Sequence, residues 1–259
     1  MILAAVIGLA VGVVVGMLGA GGGILSVPIL VYILGQEPHQ ATAASLVIVA
    51  LTACVSIIPH ARAGRVRWRD GLIFAALSAL GSFAGARASA LVAPTVLMVS
   101  FGVMLSVVAV VMLRKAWKMR RDAGDMPGGE VRGASPLVLL AVATLTGVLT
   151  GFFGVGGGFV VVPALVLVLH FSPKKATGTS LLVMIIASLM GLLGRIGTGV
   201  ELNWDIALAF AAASMCGGLV GARLTTRVRE STLTLAFGIL LAGVALGTLV
   251  EALPGVIRG

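Results

Sequence analysis

The chain has 259 residues, of which 59% are hydrophobic and only 10% charged, against about 25% charged in ordinary soluble domains. So few charges cannot cover a water-soluble protein of this length, and apolar stretches of about 20 residues, enough for a helix to cross a bilayer, recur from end to end. The net charge of +9 does not indicate nucleic acid, because Lys and Arg fall in short loops between apolar segments, as topology signals do, and aromatics are scarce.

In chain order, residues 1–16 lack the basic flank of a secretory signal and read as a first membrane segment retained in the mature protein. The apolar segment 1–35 is then interrupted at Gly19, Gly21, Gly22 and Gly23. Each Gly costs about 1 kcal/mol relative to Ala inside a helix, so the helix breaks there and restarts with Pro28 in its first turn. Three complete spans follow, over about 40–60, 70–92 and 95–113. A basic and then Gly/Pro-rich stretch, 114–134, reads as a cytoplasmic linker between a first repeat, 1–113, and a second, 135–259.

The second repeat copies the first. Gly154, Gly156, Gly157 and Gly158, followed by Pro163, stand 135 positions after the first run and Pro28. Pro38, Thr42 and Ser45 recur as Pro173, Thr177 and Ser180. After Gly64 the offset is 136, pairing Trp68 with Trp204 and Gly85-Ala86-Arg87 with Gly221-Ala222-Arg223. Spans are expected over about 175–195, 204–225 and 231–250.

Equivalent loops carry opposite charge bias. The loop at 60–70 holds Arg62, Arg65, Arg67 and Arg69, whereas its partner at 195–205 has only Arg195 with Glu201 and Asp205. The turn at 36–40 has no Lys or Arg, while Lys174 and Lys175 occupy its partner. By the positive-inside rule, equivalent loops lie on opposite sides of the membrane. The expected fold is an all-α integral membrane protein of two inverted-topology repeats with both termini outside. In each repeat a Gly-broken segment, either a re-entrant hairpin or two crossings, precedes three transmembrane helices.

Unwound backbone inside a membrane survives only where protein or a water-filled cavity satisfies it. Free N–H groups at a restarting helix, with the positive end of its dipole, form an anion site needing no charged side chain. Close helix packing explains Gly12, Gly147, Gly81 and Gly85; the consecutive runs exceed what packing requires. All nine carboxylates fall in loops or at helix ends, which argues against a cation path. Thr42 with Ser45, and Thr177 with Ser180, share a helix face, joined by Thr179; they either line the site or bond their own helix backbone. Arg87 and Arg223 either face a cavity or snorkel to the interface. Arg195 and His60 are aligned partners that could attract an anion at a vestibule, a solvated loop end being the simpler reading of His60. Cys54 and Cys216 read as small buried packing residues. No catalytic arrangement, metal site or cofactor motif is present.

The stretch Gly16 to Leu30, Gly-x-Leu-Gly-x-Gly-Gly-Gly-x-Leu-x-x-Pro-x-Leu, resembles the signature of the TauE/SafE sulfite exporter family of membrane permeases. A second copy runs from Gly151 to Leu165, with Phe153 and Val160 replacing two of the leucines. The Thr-Ala-Ala-Ser and Thr-Gly-Thr-Ser stretches at 42–45 and 177–180 and both Gly-Ala-Arg endings also fit. The resemblance implies transport of small sulfur-containing or organic anions such as sulfite, sulfoacetate or related sulfonates, often as export through the cytoplasmic membrane. A passive anion channel and a non-transporting membrane subunit are the competing readings. The partners expected are a small anion and membrane lipids; the sequence assigns no oligomeric state.

Overall fold

A computed structural model describes residues 2–18, 23–121, 136–224 and 228–257. Among these the fold is all helical. The first half comprises α1 (Ile2–Leu18), α2 (Gly23–Pro28) running into a π-helical turn (Ile29–Ile33), α3 (Pro38–Arg62), α4 (Trp68–Ser89) and α5 (Pro94–Arg121). The second comprises α6 (Pro136–Phe153), α7 (Gly158–Leu167), α8 (Pro173–Arg195), α9 (Trp204–Leu224) and α10 (Glu230–Ile257). Six helices, α3, α4, α5, α8, α9 and α10, are long and apolar enough to cross a membrane. The chain is a multi-pass membrane protein.

The expected spans correspond to these six helices. The third reaches farther than expected, to Arg121 rather than 113, because exposed Arg114 and Lys118 can extend a helix beyond the hydrocarbon without burying charge. Residues 122–134 of the expected linker and residue 135 lie outside the described residues, as do Gly19, Gly21 and Gly22. Pro28 and Pro163 do not stand in first turns: each is the sixth residue of its helix. A proline there removes the bond to the carbonyl four residues earlier. After Pro28 the chain widens, and Leu34 N–H donates to the Ile29 carbonyl, 3.0 Å away and five residues back.

Helix packing is dictated by small residues. Gly8, Gly12 and Gly16 of α1 lie against Phe210, Ser214 and Gly218 of α9, while Gly217 and Gly221 of α9 face Leu9 and Val13. The contact moves four residues along both helices together, so α1 and α9 run parallel. Gly147 and Gly151 of α6 abut Ser78 and Ser82 of α4, and Gly81 and Gly85 abut Thr144 and Val148, so this pair is parallel as well. Without a hydrophobic drive between helices in lipid, such close backbone approach is what holds them. The other main pairs are α5 with α10, α4 with α8, α3 with α9, and α3 with α8. Every one of these joins the first half to the second.

The middle of the bundle is α3 and α8. From Ala41 to Ala50 α3 is buried on all sides, as is α8 from Ala176 to Met184. Trp68 and Trp204, at the starts of α4 and α9, are about half exposed, as interfacial aromatic anchors are. Cys54 and Cys216 are exposed rather than buried. The outside of a membrane bundle is itself apolar, so an apolar segment does not imply an inward-facing thiol.

Candidate functional site: two glycine breaks against α3 and α8

The second break is the better described. Gly154, Gly156 and Gly157 have φ of 66°, 70° and 76°, a left-handed conformation that glycine adopts without the Cβ penalty of other residues. Gly157 is the N-cap of α7, and the N–H groups of Val160 and Val161 both donate to its carbonyl, at 2.9 and 2.7 Å. Residues 154–158 are buried. A side chain on Gly154 would strike the Thr42 backbone, one on Gly156 would strike Val49 and Ser188, and one on Gly157 would strike Thr150. The break is therefore clamped between α3 of the opposite half and α8 and α6 of its own.

The first break is described only at its edges, Leu18 and Gly23. Thr177 Oγ1 donates to the Leu18 carbonyl at 3.2 Å. Thr42 and Thr177, equivalent residues, thus each touch the break of the opposite half. Beside Leu18 and Thr177, a cavity of about 20 Å³ lined by Val162, Thr234 and Phe237 has room for about one water.

The other hydroxyls divide. Thr42 Oγ1 donates to the His39 carbonyl at 2.9 Å, and Ser180 Oγ to the Thr177 carbonyl at 2.8 Å, bonds to their own helix. Thr179 Oγ1 accepts the Arg67 N–H at 3.1 Å, tying α8 to the start of α4. Ser45 Oγ has no partner among the described residues although Ser45 is fully buried. Ser188 Oγ, at Gly156, is also buried without one. Sequence reasoning missed Ser188, although it lies seven residues before Arg195 and therefore on the same side of α8.

The basic residues fall into two classes. Arg87 and Arg223 are exposed, and Arg87 lies over the Phe83 ring with 5.6 Å to its centroid. His60 and Arg195 are 1% and 5% exposed, so His60 is not a solvated loop end. Pro59 inside α3 did not stop the helix, which carries His60 into the interior. His60 Nε2 lies 3.0 Å from the Gly16 carbonyl oxygen. Arg195 Nη2 donates to the Gly151 carbonyl at 3.3 Å and lies 3.5 Å from Ser89 Oγ. Gly16 and Gly151 are equivalent, each just before its break. Both basic groups therefore complement the carbonyl end of the helix entering a break. Arg195 Nε and Nη1 remain buried without partners among the described residues.

A buried guanidinium with unpaired donors at the helix end that leads into an unwound glycine segment, which itself meets an unpartnered hydroxyl at Ser188, is chemically suited to an anion. Comparison with known proteins agrees in kind. The pattern described as "Sulfite exporter TauE/SafE" matches residues 4–248. A protein of Xylella fastidiosa (strain Temecula1) named "Probable membrane transporter protein" is 35% identical over 91% of this chain and 90% of its own length. The "Probable membrane transporter protein YunE" of Bacillus subtilis is 31% identical over 93% and 94%. No solved structure matches. The chain belongs to the TauE/SafE sulfite exporter family, whose members are membrane transporters and not enzymes.

Proposed function

We propose that the chain is a secondary transporter moving a small sulfur-containing or organic anion (sulfite, sulfoacetate or a related sulfonate) out across the cytoplasmic membrane. Transport proceeds by alternating access between inverted halves, 1–113 and 135–259, joined by a cytoplasmic linker at 114–134. The observation that carries the reading is the buried second break, three glycines at positive φ, flanked by Ser188 Oγ and the unpartnered Arg195 nitrogens. Backbone N–H groups at the start of α7 and, through the repeat, of α2 bind the anion, with Thr42, Ser45, Thr177, Thr179 and Ser180 around them and Arg195 as countercharge.

The inverted arrangement draws support from helix directions. Helix α4 meets α8 at Gly71/Thr179, Ser82/Gly191 and Ala86/Gly194, contacts that advance together. A short loop joins α3 to α4, which reverses the chain and sets α3 against its equivalent, α8. For the broken segments the favoured form is the re-entrant hairpin. Phe171, just past α7, lies under the Arg67 guanidinium, 5.1 Å from the centroid, at the end of α4 beside which α6 also begins.

The test is a thermal-shift panel of sulfite, thiosulfate, sulfoacetate, taurine and acetate, followed by flux in proteoliposomes. At least one anion stabilises the protein and accumulates against its gradient when an ion gradient is imposed. Dissipative flux alone identifies a channel instead, and stabilisation by none of the five refutes the anion site.

A further inference from the structure

Along α3, four buried polar atoms have no hydrogen-bond partner among the described residues: Ser45 Oγ, Thr52 Oγ1, Ser56 Oγ and His60 Nδ1. Their spacing of seven, four and four residues keeps them on one side of the helix, and at 1.5 Å per residue the column is about 22 Å long. All four residues are at most 1% exposed. Buried polar atoms are normally paired, so four orphans in a column call for an explanation.

His60 supplies one. Its Nε2 faces the Gly16 carbonyl, which only accepts, so Nε2 carries the hydrogen and Nδ1 presents a lone pair. Hydroxyls both donate and accept, and since neighbours in the column stand about 6–10 Å apart along the helix, Ser56, Thr52 and Ser45 can pass a proton only through water between them. The equivalent position in the second half is Arg195, on the equivalent carbonyl of Gly151. One half thus carries a permanent cation where the other carries a titratable base.

We infer that His60 Nδ1 binds a proton that crosses together with the anion and offsets part of its charge, along a path lined by the α3 hydroxyls. This rests on the transporter reading above. A proton from water on one side adds to the Nδ1 lone pair, giving an imidazolium. It leaves from the same nitrogen to water on the other side after the anion has crossed. A buried imidazolium is costly without a countercharge, so proton and anion load together. The neighbouring charges reinforce this. Arg62 on α3 and Arg223 on α9 are exposed. Arg65 donates its backbone N–H to the His60 carbonyl at 3.0 Å, and its guanidinium is close enough for its charge to repel an imidazolium there. Asp70, at the start of α4, is paired with Arg67 at 3.5 Å. Between Ile2 and Leu18, α1 has no titratable side chain.

The test uses full-length protein in proteoliposomes with thiosulfate or sulfoacetate, neither of which changes charge near neutral pH, and a pH-sensitive dye. Wild type accumulates the anion under an imposed pH gradient and moves protons with it. His60→Gln, which keeps an N–H for the Gly16 carbonyl, loses both accumulation and proton movement while anion exchange persists. His60→Arg, imitating Arg195, gives exchange independent of pH. As a readout that needs no variant, imidazole nitrogen NMR of wild type finds His60 Nδ1 protonated with thiosulfate and bare without it. Wild-type proton movement in His60→Gln, or an Nδ1 that thiosulfate leaves unchanged, overturns the inference and leaves the transporter reading standing. No flux of any tested anion overturns that reading and this inference with it.

Discussion

The clamp on the second glycine break can be tested by adding one methyl group. At Gly154 a Cβ would lie 2.6 Å from Thr42 Cβ and 2.7 Å from its carbonyl carbon, and φ is +66°. At Gly35 φ is also +66°, but nothing lies within 4 Å of the added atom. Both Gly→Ala changes carry the left-handed penalty of about 1–2 kcal/mol. Only Gly154→Ala adds overpacking against backbone that cannot swing aside, about 1–3 kcal/mol more. Gly154→Ala should therefore cost about 2–5 kcal/mol in all, and Gly35→Ala only the first part. Thermal unfolding in detergent, followed by fluorescence-detected size exclusion, gives the order of the midpoints: wild type, then Gly35→Ala, then Gly154→Ala well below. Anion flux should survive Gly35→Ala and fall in Gly154→Ala. Equal midpoints for the two variants would show that α3 does not clamp the break, and the candidate site would lose its main geometric support.

Three further outcomes follow from the same contacts. Arg195→Gln removes a charged donor from the Gly151 carbonyl and the countercharge from the site; hydrogen bonds to charged groups contribute about 1.5–3 kcal/mol, so anion affinity in the thermal-shift panel should fall at least about tenfold. Gly147→Leu pushes a side chain into the Ser78 backbone and should abolish the folded monodisperse peak, whereas Leu140→Ala, at an exposed position of the same helix, should leave it unchanged. Ala63→Cys and Glu201→Cys, in equivalent loops and exposed, should react with an impermeant maleimide from opposite sides once Cys54 and Cys216 are replaced by Ser; labelling from one side refutes the inverted arrangement.

The six spans and the second break were legible because lipid imposes length and forbids charge, so hydropathy and glycine runs place them almost directly. The spaced glycines were legible as packing residues for a similar reason, since four-residue spacing places them on one helix face. Burial was not. In water an apolar cysteine is expected inside; here Cys54 and Cys216 face outward, and hydropathy cannot separate a lipid-facing side from a protein-facing one. His60 failed from the other direction. A histidine after a proline near a loop reads as solvated, and only the close approach of α1 through Gly16 takes it inside. Ser188 was invisible because its significance lies in facing Gly156, a contact between α8 and the unwound break that joins α6 to α7.

The interlocking of the halves constrains how such a protein can move. Helix α1, which enters the first break, packs on α9, while α6, which enters the second, packs on α4. In both pairs glycine lets backbone touch backbone, so neither partner slides without separating the other. A displacement of the first break therefore carries α9 with it. Helix α9 in turn packs on α3 at Ser56, within the column that ends on His60, and α3 touches the second break at Thr42 and Val49. The chain of contacts returns to the second break by way of the proposed proton site. Under the proposed alternating access the two breaks are then mechanically opposed, one opening as the other closes, and the charge state of His60 acts at the joint between them.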